Sequence, residues 1–143
     1  MRFREVQRPP IWLLALFYFF FLSLVIAIWA ALGNLAALIS LVVLTGTLVF
    51  IWFIFALVIE VVGSQLRIGN AQIDISYLGH CESLSAADMR RARTRDIDPA
   101  AHLEIRFWVS EGIKIALNDS RDPTPYWLVS TSRADELIAI LKN

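Results

Sequence analysis

PPIWLLALFYFFFLSLVIAIWAALGNLAALISLVVLTGTLVFIWFIFALVI, residues 9–59, contains no Asp, Glu, Lys or Arg, and its flanking residues are Arg8 and Glu60. Water tolerates large exposed apolar patches poorly, whereas a bilayer solvates such a run along its whole length. About 20 apolar residues cross the hydrocarbon core, so the stretch holds two crossings, with Gly33-Asn34 near its middle as the turn. The first span reads Ile11–Leu32, and its 22 residues cover about 33 Å at the helical rise. Pro9-Pro10 stands at its entry, where missing N–H groups cost nothing. The second span runs from Leu35 to about Ile59.

So short a link places the two helices antiparallel and side by side. Residues whose numbers sum to about 67 then lie at equal depth, so Ala31 faces Ala36 and Ala27 faces Ser40. Ser23, Ala27 and Ala31 recur every fourth residue, which predicts a seam of small side chains at the helix–helix contact. Arg2, Arg4 and Arg8 precede the first span and Arg67 follows the second, while the turn is uncharged. The positive-inside rule therefore predicts a multi-pass membrane protein with both termini cytoplasmic. The basic start followed by an apolar run is also how a signal peptide begins. Ile11–Leu32 exceeds the roughly 7–15 residues of an h-region, however, and a second span follows at once, so the expectation is a retained hairpin.

The chain has 143 residues, with 13 basic and 13 acidic side chains and a formal net charge of zero. That balance indicates no nucleic-acid partner. Nearly all the charge lies before Pro9 or after Glu60, which divides the chain into a basic arm (1–10), a transmembrane hairpin (11–62) and a cytoplasmic domain (63–143). The last has about 80 residues, enough for one small core. Cys81 is the only cysteine, so no intrachain disulfide supports it.

Beyond Glu60 the apolar period falls to two. Gln65–Ile68 and Ile73–Tyr77 read as strands joined by a Gly69-Asn70 turn. Leu103–Ser110 alternates, with Ile105, Phe107 and Val109 on one face and Trp108 on the other. Glu111-Gly112 turns the chain into a strand through Ile113, Ile115 and Leu117. Turn formers fill Asn118–Pro125, and Tyr126–Thr131 is a last strand. The period then becomes helical: Ala134, Leu137, Ile138 and Leu141 form one apolar stripe, with Ser132 as the expected N-cap. Ser85–Arg95 reads as a short surface helix capped by Ser85 and Asp88. The expected class is α+β: a two-span transmembrane helical hairpin, then a small antiparallel sheet with a C-terminal amphipathic helix.

Two spans with a minimal turn, followed by Asp98-Pro99-Ala100, Arg106-Phe107-Trp108-Val109 and Asp122-Pro123-Thr124-Pro125-Tyr126-Trp127-Leu128-Val129-Ser130-Thr131, resemble the actinobacterial membrane proteins of domain of unknown function family 3093. The resemblance covers nearly the whole chain. It implies a small actinobacterial inner-membrane protein and assigns no activity. In element order the soluble half is also similar to bacterial pleckstrin-homology-like domains, and fold alone does not fix function.

Catalytic signals are weak. His80-Cys81-Glu82 gathers three reactive types, but neighbours on a strand point to opposite faces, so Cys81 and His80 do not form a nucleophile–base pair. His80, His102 and Cys81 lack metal-ligand spacing, and no glycine loop suits a phosphate, so no metal or cofactor is expected. Asp98, Asp119 and Asp122 stand in turn contexts, where Asp bonds its own backbone. Arg90, Arg91, Arg93 and Arg95 are candidate contacts for anionic membrane lipids. Trp108 and Trp127 are candidate contacts for a protein partner or a second copy of the chain. These features point to a non-enzymatic, membrane-anchored binding or scaffold module. The alternatives are a lipid-sensing module acting through the arginines and an accessory subunit of an envelope-lipid enzyme.

Overall fold

A computed structural model describes residues 2–143. It comprises two compact units, one spanning Gln7–Leu57 and the other combining the N-terminal residues through Val6 with Val58–Asn143.

The first unit is a helical hairpin. Helices α1 (Ile11–Leu32) and α2 (Asn34–Ile54) are joined by Gly33 alone. Gly33 has φ 88°, a conformation side-chain-bearing residues rarely adopt, and its N–H reaches the Trp29 carbonyl at 3.0 Å. The Trp29 indole N–H donates to Asn34 Oδ1 at 2.6 Å, which ties the two helices across the turn. Both helices are long and apolar enough to cross a membrane, with mean hydropathies of 2.7 and 2.5, and neither contains a buried residue. Their hydroxyls bond within their own helix: Ser23 to the Phe19 carbonyl, Ser40 to Ala37 and Thr47 to Val43. At the open end, the Arg8 guanidinium stacks over Trp52, 5.0 Å from the ring centre.

The interhelical contact differs from the small-residue expectation. Ser23, Ala27 and Ala31 of α1 are exposed, while Phe21, Val25 and Ile28 are partly covered. On α2, Ala36 and Ser40 are partly covered, as are Ala37, Leu41 and Leu44. Bulky side chains of α1 thus pack on a mixed face of α2, where they gather more dispersion contacts than an Ala/Ser stripe would.

The second unit contains two four-stranded sheets. The first runs in the order β1 (Phe3–Gln7), β2 (Leu57–Val62), β3 (Gln65–Ile68), β4 (Ala71–Asp74). The second runs β5 (Leu78–Leu84), β7 (Gly112–Leu117), β8 (Tyr126–Ser130), β6 (His102–Glu104). Helix α3 (Ala86–Thr94) follows β5, and α4 (Ala134–Leu141) ends the chain. The Gly69-Asn70 hairpin, the α3 boundaries and the C-terminal stripe agree with the sequence reading, with Leu137 fully buried. The sheets are not wholly antiparallel, because β6 pairs with β8 in parallel.

Several boundaries move. The second helix stops at Ile54, and Leu57–Val62 is a strand with Leu57, Ile59 and Val61 buried. Its β-branched residues suit a pleated sheet better than a further helical turn. The basic arm is also a strand: Phe3, Glu5 and Gln7 point inward while Arg4 and Val6 are exposed. The strand expected through Tyr77 ends at Asp74, whose carboxylate accepts the Ser76 N–H at 2.9 Å and caps a 3-10 turn over Ile75–Tyr77. Ser132 does not cap α4; Arg133 occupies that position, and the Ser132 hydroxyl bonds Glu5 Oε1 at 3.0 Å instead.

Glu5 is the centre of this unit's longest-range contact. Its Oε1 also accepts the Ser132 N–H at 3.3 Å, and Oε2 accepts the Thr131 hydroxyl. Arg133 adds a guanidinium stacked 4.8 Å from the Phe3 ring centre and a hydrogen bond to the Arg4 carbonyl. Elsewhere, Leu84, Met89, Tyr126 and Leu128 form a core cluster over which Ala92, Ala101 and Ile105 pack. Gly112 permits the close approach of α3: a Cβ there would lie 2.6 Å from the Val129 carbonyl and 2.7 Å from Met89 Sδ.

Glu5→Ala removes three hydrogen bonds to a carboxylate and is expected to cost about 2–4 kcal/mol. Gly112→Ala forces overpacking worth about 1–3 kcal/mol. Thermal melts of the full chain in detergent measure both. In the same assay Phe21→Ala lowers the melting temperature of the hairpin, whereas Ala27→Leu, on the exposed face, changes stability by less than about 0.5 kcal/mol.

Candidate binding surface

Helix α3 carries the arginine cluster. Ser85 caps it, with Oγ accepting the Asp88 N–H at 3.3 Å and donating to Asp88 Oδ2 at 2.8 Å. Asp88 also pairs with Arg91, and the hydrogen bond from Ser85, followed by that from Arg91, holds its carboxyl below the usual range. The acid lies in the first turn and Arg91 and Arg93 in the last, complementing the helix dipole. Arg90, Arg91 and Arg95 are exposed and Arg93 is half-buried. Among the described residues, only Arg91 of the four has an ion pair.

Three other carboxylates are committed to their own turns. Asp98 Oδ1 accepts the Ala100 N–H at 2.9 Å, Asp119 Oδ1 accepts that of Arg121 and Asp122 Oδ1 that of Thr124, both at 2.9 Å. Hydrogen bonds from Arg121 lower the Asp119 pKa, and those from Thr124 lower that of Asp122. Each is the Asx arrangement expected from its sequence context. The loop after α3 is further pinned by Tyr126, whose hydroxyl accepts the Asp98 N–H at 3.0 Å.

The segment after β6 departs most from the sequence reading. Only His102–Glu104 is a strand, and Arg106–Val109 is a turn closed by the Val109 N–H on the Arg106 carbonyl at 3.0 Å. The Arg106 N–H goes to the Ser130 hydroxyl at 2.9 Å, a side-chain acceptor in place of a ladder carbonyl, so the pairing ends. Phe107, expected inside, is 63 % exposed. Trp108, expected on the face opposite Phe107, is half-buried, and its ring meets Phe107 edge-on at 5.0 Å.

Trp127 is 5 % exposed, so it is a core residue and not a partner contact. It lies on β8, which is flanked by β7 and β6, and its neighbour across the parallel pair is His102, 5.2 Å ring to ring. His102 Nε2 lies 3.6 Å from Glu104 Oε1, and Arg106 Nη1 lies 3.7 Å from Oε2 of the same carboxylate. This row of side chains was not singled out from the sequence, although the alternate spacing of His102, Glu104 and Arg106 was visible in it.

On β5, His80 is exposed and Cys81 buried, and Cys81 Sγ approaches the Gly79 carbonyl at 3.7 Å. Burial pushes the thiol pKa up, opposite to the shift a cysteine nucleophile requires. Maleimide at neutral pH is therefore expected to label Cys81 at least about tenfold more slowly in the folded chain than in denaturant. Equal rates would contradict its burial.

No curated protein and no solved structure matches this chain. A family model described as "Protein of unknown function (DUF3093)" matches residues 2–141. With that match over almost its entire length, the chain belongs to the DUF3093 family.

Proposed function

We propose that this protein is a non-enzymatic, membrane-anchored binding module. In this reading α1 and α2 cross the inner membrane with both termini cytoplasmic, and the pleckstrin-homology-like domain at the cytoplasmic leaflet binds a protein partner or a second copy of itself. The observation that carries the reading is topological: the apolar hairpin is inserted between β1 and β2, neighbouring strands of one sheet. Only Arg8-Pro9-Pro10 separates β1 from α1, and only Phe55-Ala56 separates α2 from β2. Both ends of the hairpin therefore lead directly into the domain, as presentation at a leaflet requires. The arginines at positions 2, 4, 8 and 67 favour the cytoplasmic side. Two sheets and a closing C-terminal helix support the pleckstrin-homology-like comparison, with the parallel β6–β8 pair as a departure.

A second reading, docking on anionic lipid, is favoured by the exposure of Arg90 and Arg95 and by their having no ion pair among the described residues. An enzyme finds less support, since Cys81 is buried with a raised pKa and His80 points elsewhere.

Crosslinking in native membranes followed by purification in mild detergent is expected to recover an oligomer or a stoichiometric partner. Recovery of the monomer alone would overturn the partner reading. Reporter fusions at each end should both report the cytoplasm, and one periplasmic end would overturn the topology.

A further inference from the structure

We propose that the Arg106–Val109 turn is a bilayer anchor: Phe107 inserts among the acyl chains of an anionic leaflet while Arg90, Arg91 and Arg95 hold α3 at the headgroups. The proposal rests on the lipid-docking reading and goes beyond it by naming the inserting residue.

An exposed phenylalanine on a mobile loop would mean little, but this one is braced. The turn closes through Val109 N–H and the Arg106 carbonyl, and Ser130, a fully buried residue, accepts the Arg106 N–H from below. Trp108 supports the Phe107 ring edge-on. The ring is thus held out at little further cost in conformational freedom on docking. Ile97 and Leu103 are exposed as well, so Phe107 is not an isolated apolar residue on this part of the chain.

The arginines and the turn share a foundation. Ala92 of α3 and Ile105, which leads into the turn, pack on the same cluster of Leu84, Met89, Tyr126 and Leu128. The loop containing Ile97 is fastened to Tyr126 through the Asp98 N–H. A helix with exposed arginines, three of the four outside any ion pair among the described residues, and an apolar tip are therefore carried on one core cluster. Charge complementarity selects the occupant: a headgroup layer of negative charge over an apolar interior matches cations beside an exposed aromatic ring. Aromatic residues favour that interface, and each arginine near an anionic surface adds about fivefold to partitioning.

The test uses the full chain in nanodiscs, on a Cys81→Ser background that leaves introduced cysteines as the sole thiols. An environment-sensitive fluorophore is attached after Phe107→Cys or, in a second variant, on α3 after Ala87→Cys. Discs contain phosphatidylcholine with or without 30 % phosphatidylglycerol by design. The expected result at position 107 is blue-shifted emission quenched by acyl-chain nitroxides in anionic discs, and reversed by salt or by Arg90→Gln/Arg91→Gln/Arg95→Gln. On α3 the probe is quenched by headgroup nitroxides, and Phe107→Asp in that background should weaken the quenching several-fold. Water-like emission at 107 with quenching on α3 overturns the anchor while the lipid reading stands. Water-like behaviour of both probes overturns both. A shift at 107 that ignores lipid charge and grows with the number of chains per disc assigns the turn to a second copy and overturns the proposal.

Discussion

The buried carboxylate of Glu5 closes the domain. Removing a carboxylate from water is unfavourable unless donors replace the lost hydration. Three donors do so, the Thr131 hydroxyl and the backbone N–H and hydroxyl of Ser132. They lie 126 and 127 residues further along the chain. The first strand is consequently fastened at the entry to the last helix, with Arg133 stacked on Phe3 as a second tie. Because β1 is thus part of the domain, the apolar hairpin lies between two neighbouring strands of one sheet. The order of synthesis gives this a kinetic side. Residues 131–132 emerge long after β1, so β1 completes these contacts only after more than a hundred further residues are made, the kind of non-local closure that slows folding.

How much of this was legible depended on whether a signal was local. The helix Ile11–Leu32 was readable to the residue because its length, entry prolines and exit glycine all lie within it. The Gly69-Asn70 turn, the Ser85 cap and the Asx turns at Asp98, Asp119 and Asp122 were likewise local chemistry and stand where the sequence put them. Leu57–Val62 was hidden because it continues an apolar run: with Val58, Ile59, Val61 and Val62 all hydrophobic, no polar face marks a period of two. In β1 the period was present, with Arg4 and Val6 between Phe3, Glu5 and Gln7, but the arginines read as a charge run. Ser132 had every property of an N-cap except a free hydroxyl, and only a residue 127 positions away could have revealed that.

The same distinction separates the two tryptophans proposed as partner contacts. Trp127 belongs to β8, covered on both edges by β7 and β6, and all five residues of that strand are buried. Its tryptophan therefore packs, whatever its preference for interfaces. Phe107 left its expected inward face because the Ser130 hydroxyl captured the Arg106 amide and turned the chain one residue after Ile105. A strand's alternation survives only as long as its ladder does.

A net charge of zero conceals how differently the two signs are used. Carboxylates hold the architecture: Glu5 closes the domain, Asp74 caps the 3-10 turn, Asp88 closes the start of α3, and Asp98, Asp119 and Asp122 lock loops. Where such a carboxylate meets a cation it is a sequence neighbour, as Asp88 meets Arg91 and Asp119 meets Arg121. The arginines of α3 stand on long side chains with no such tie at Arg90 or Arg95. Neutrality of the whole chain therefore does not mean paired charges on α3, where, among the described residues, Arg90 and Arg95 have no ion pair. The exposed Arg90 and Arg95 set the local field at α3, and that local field, not the net charge of the chain, decides which sign of charge is attracted there.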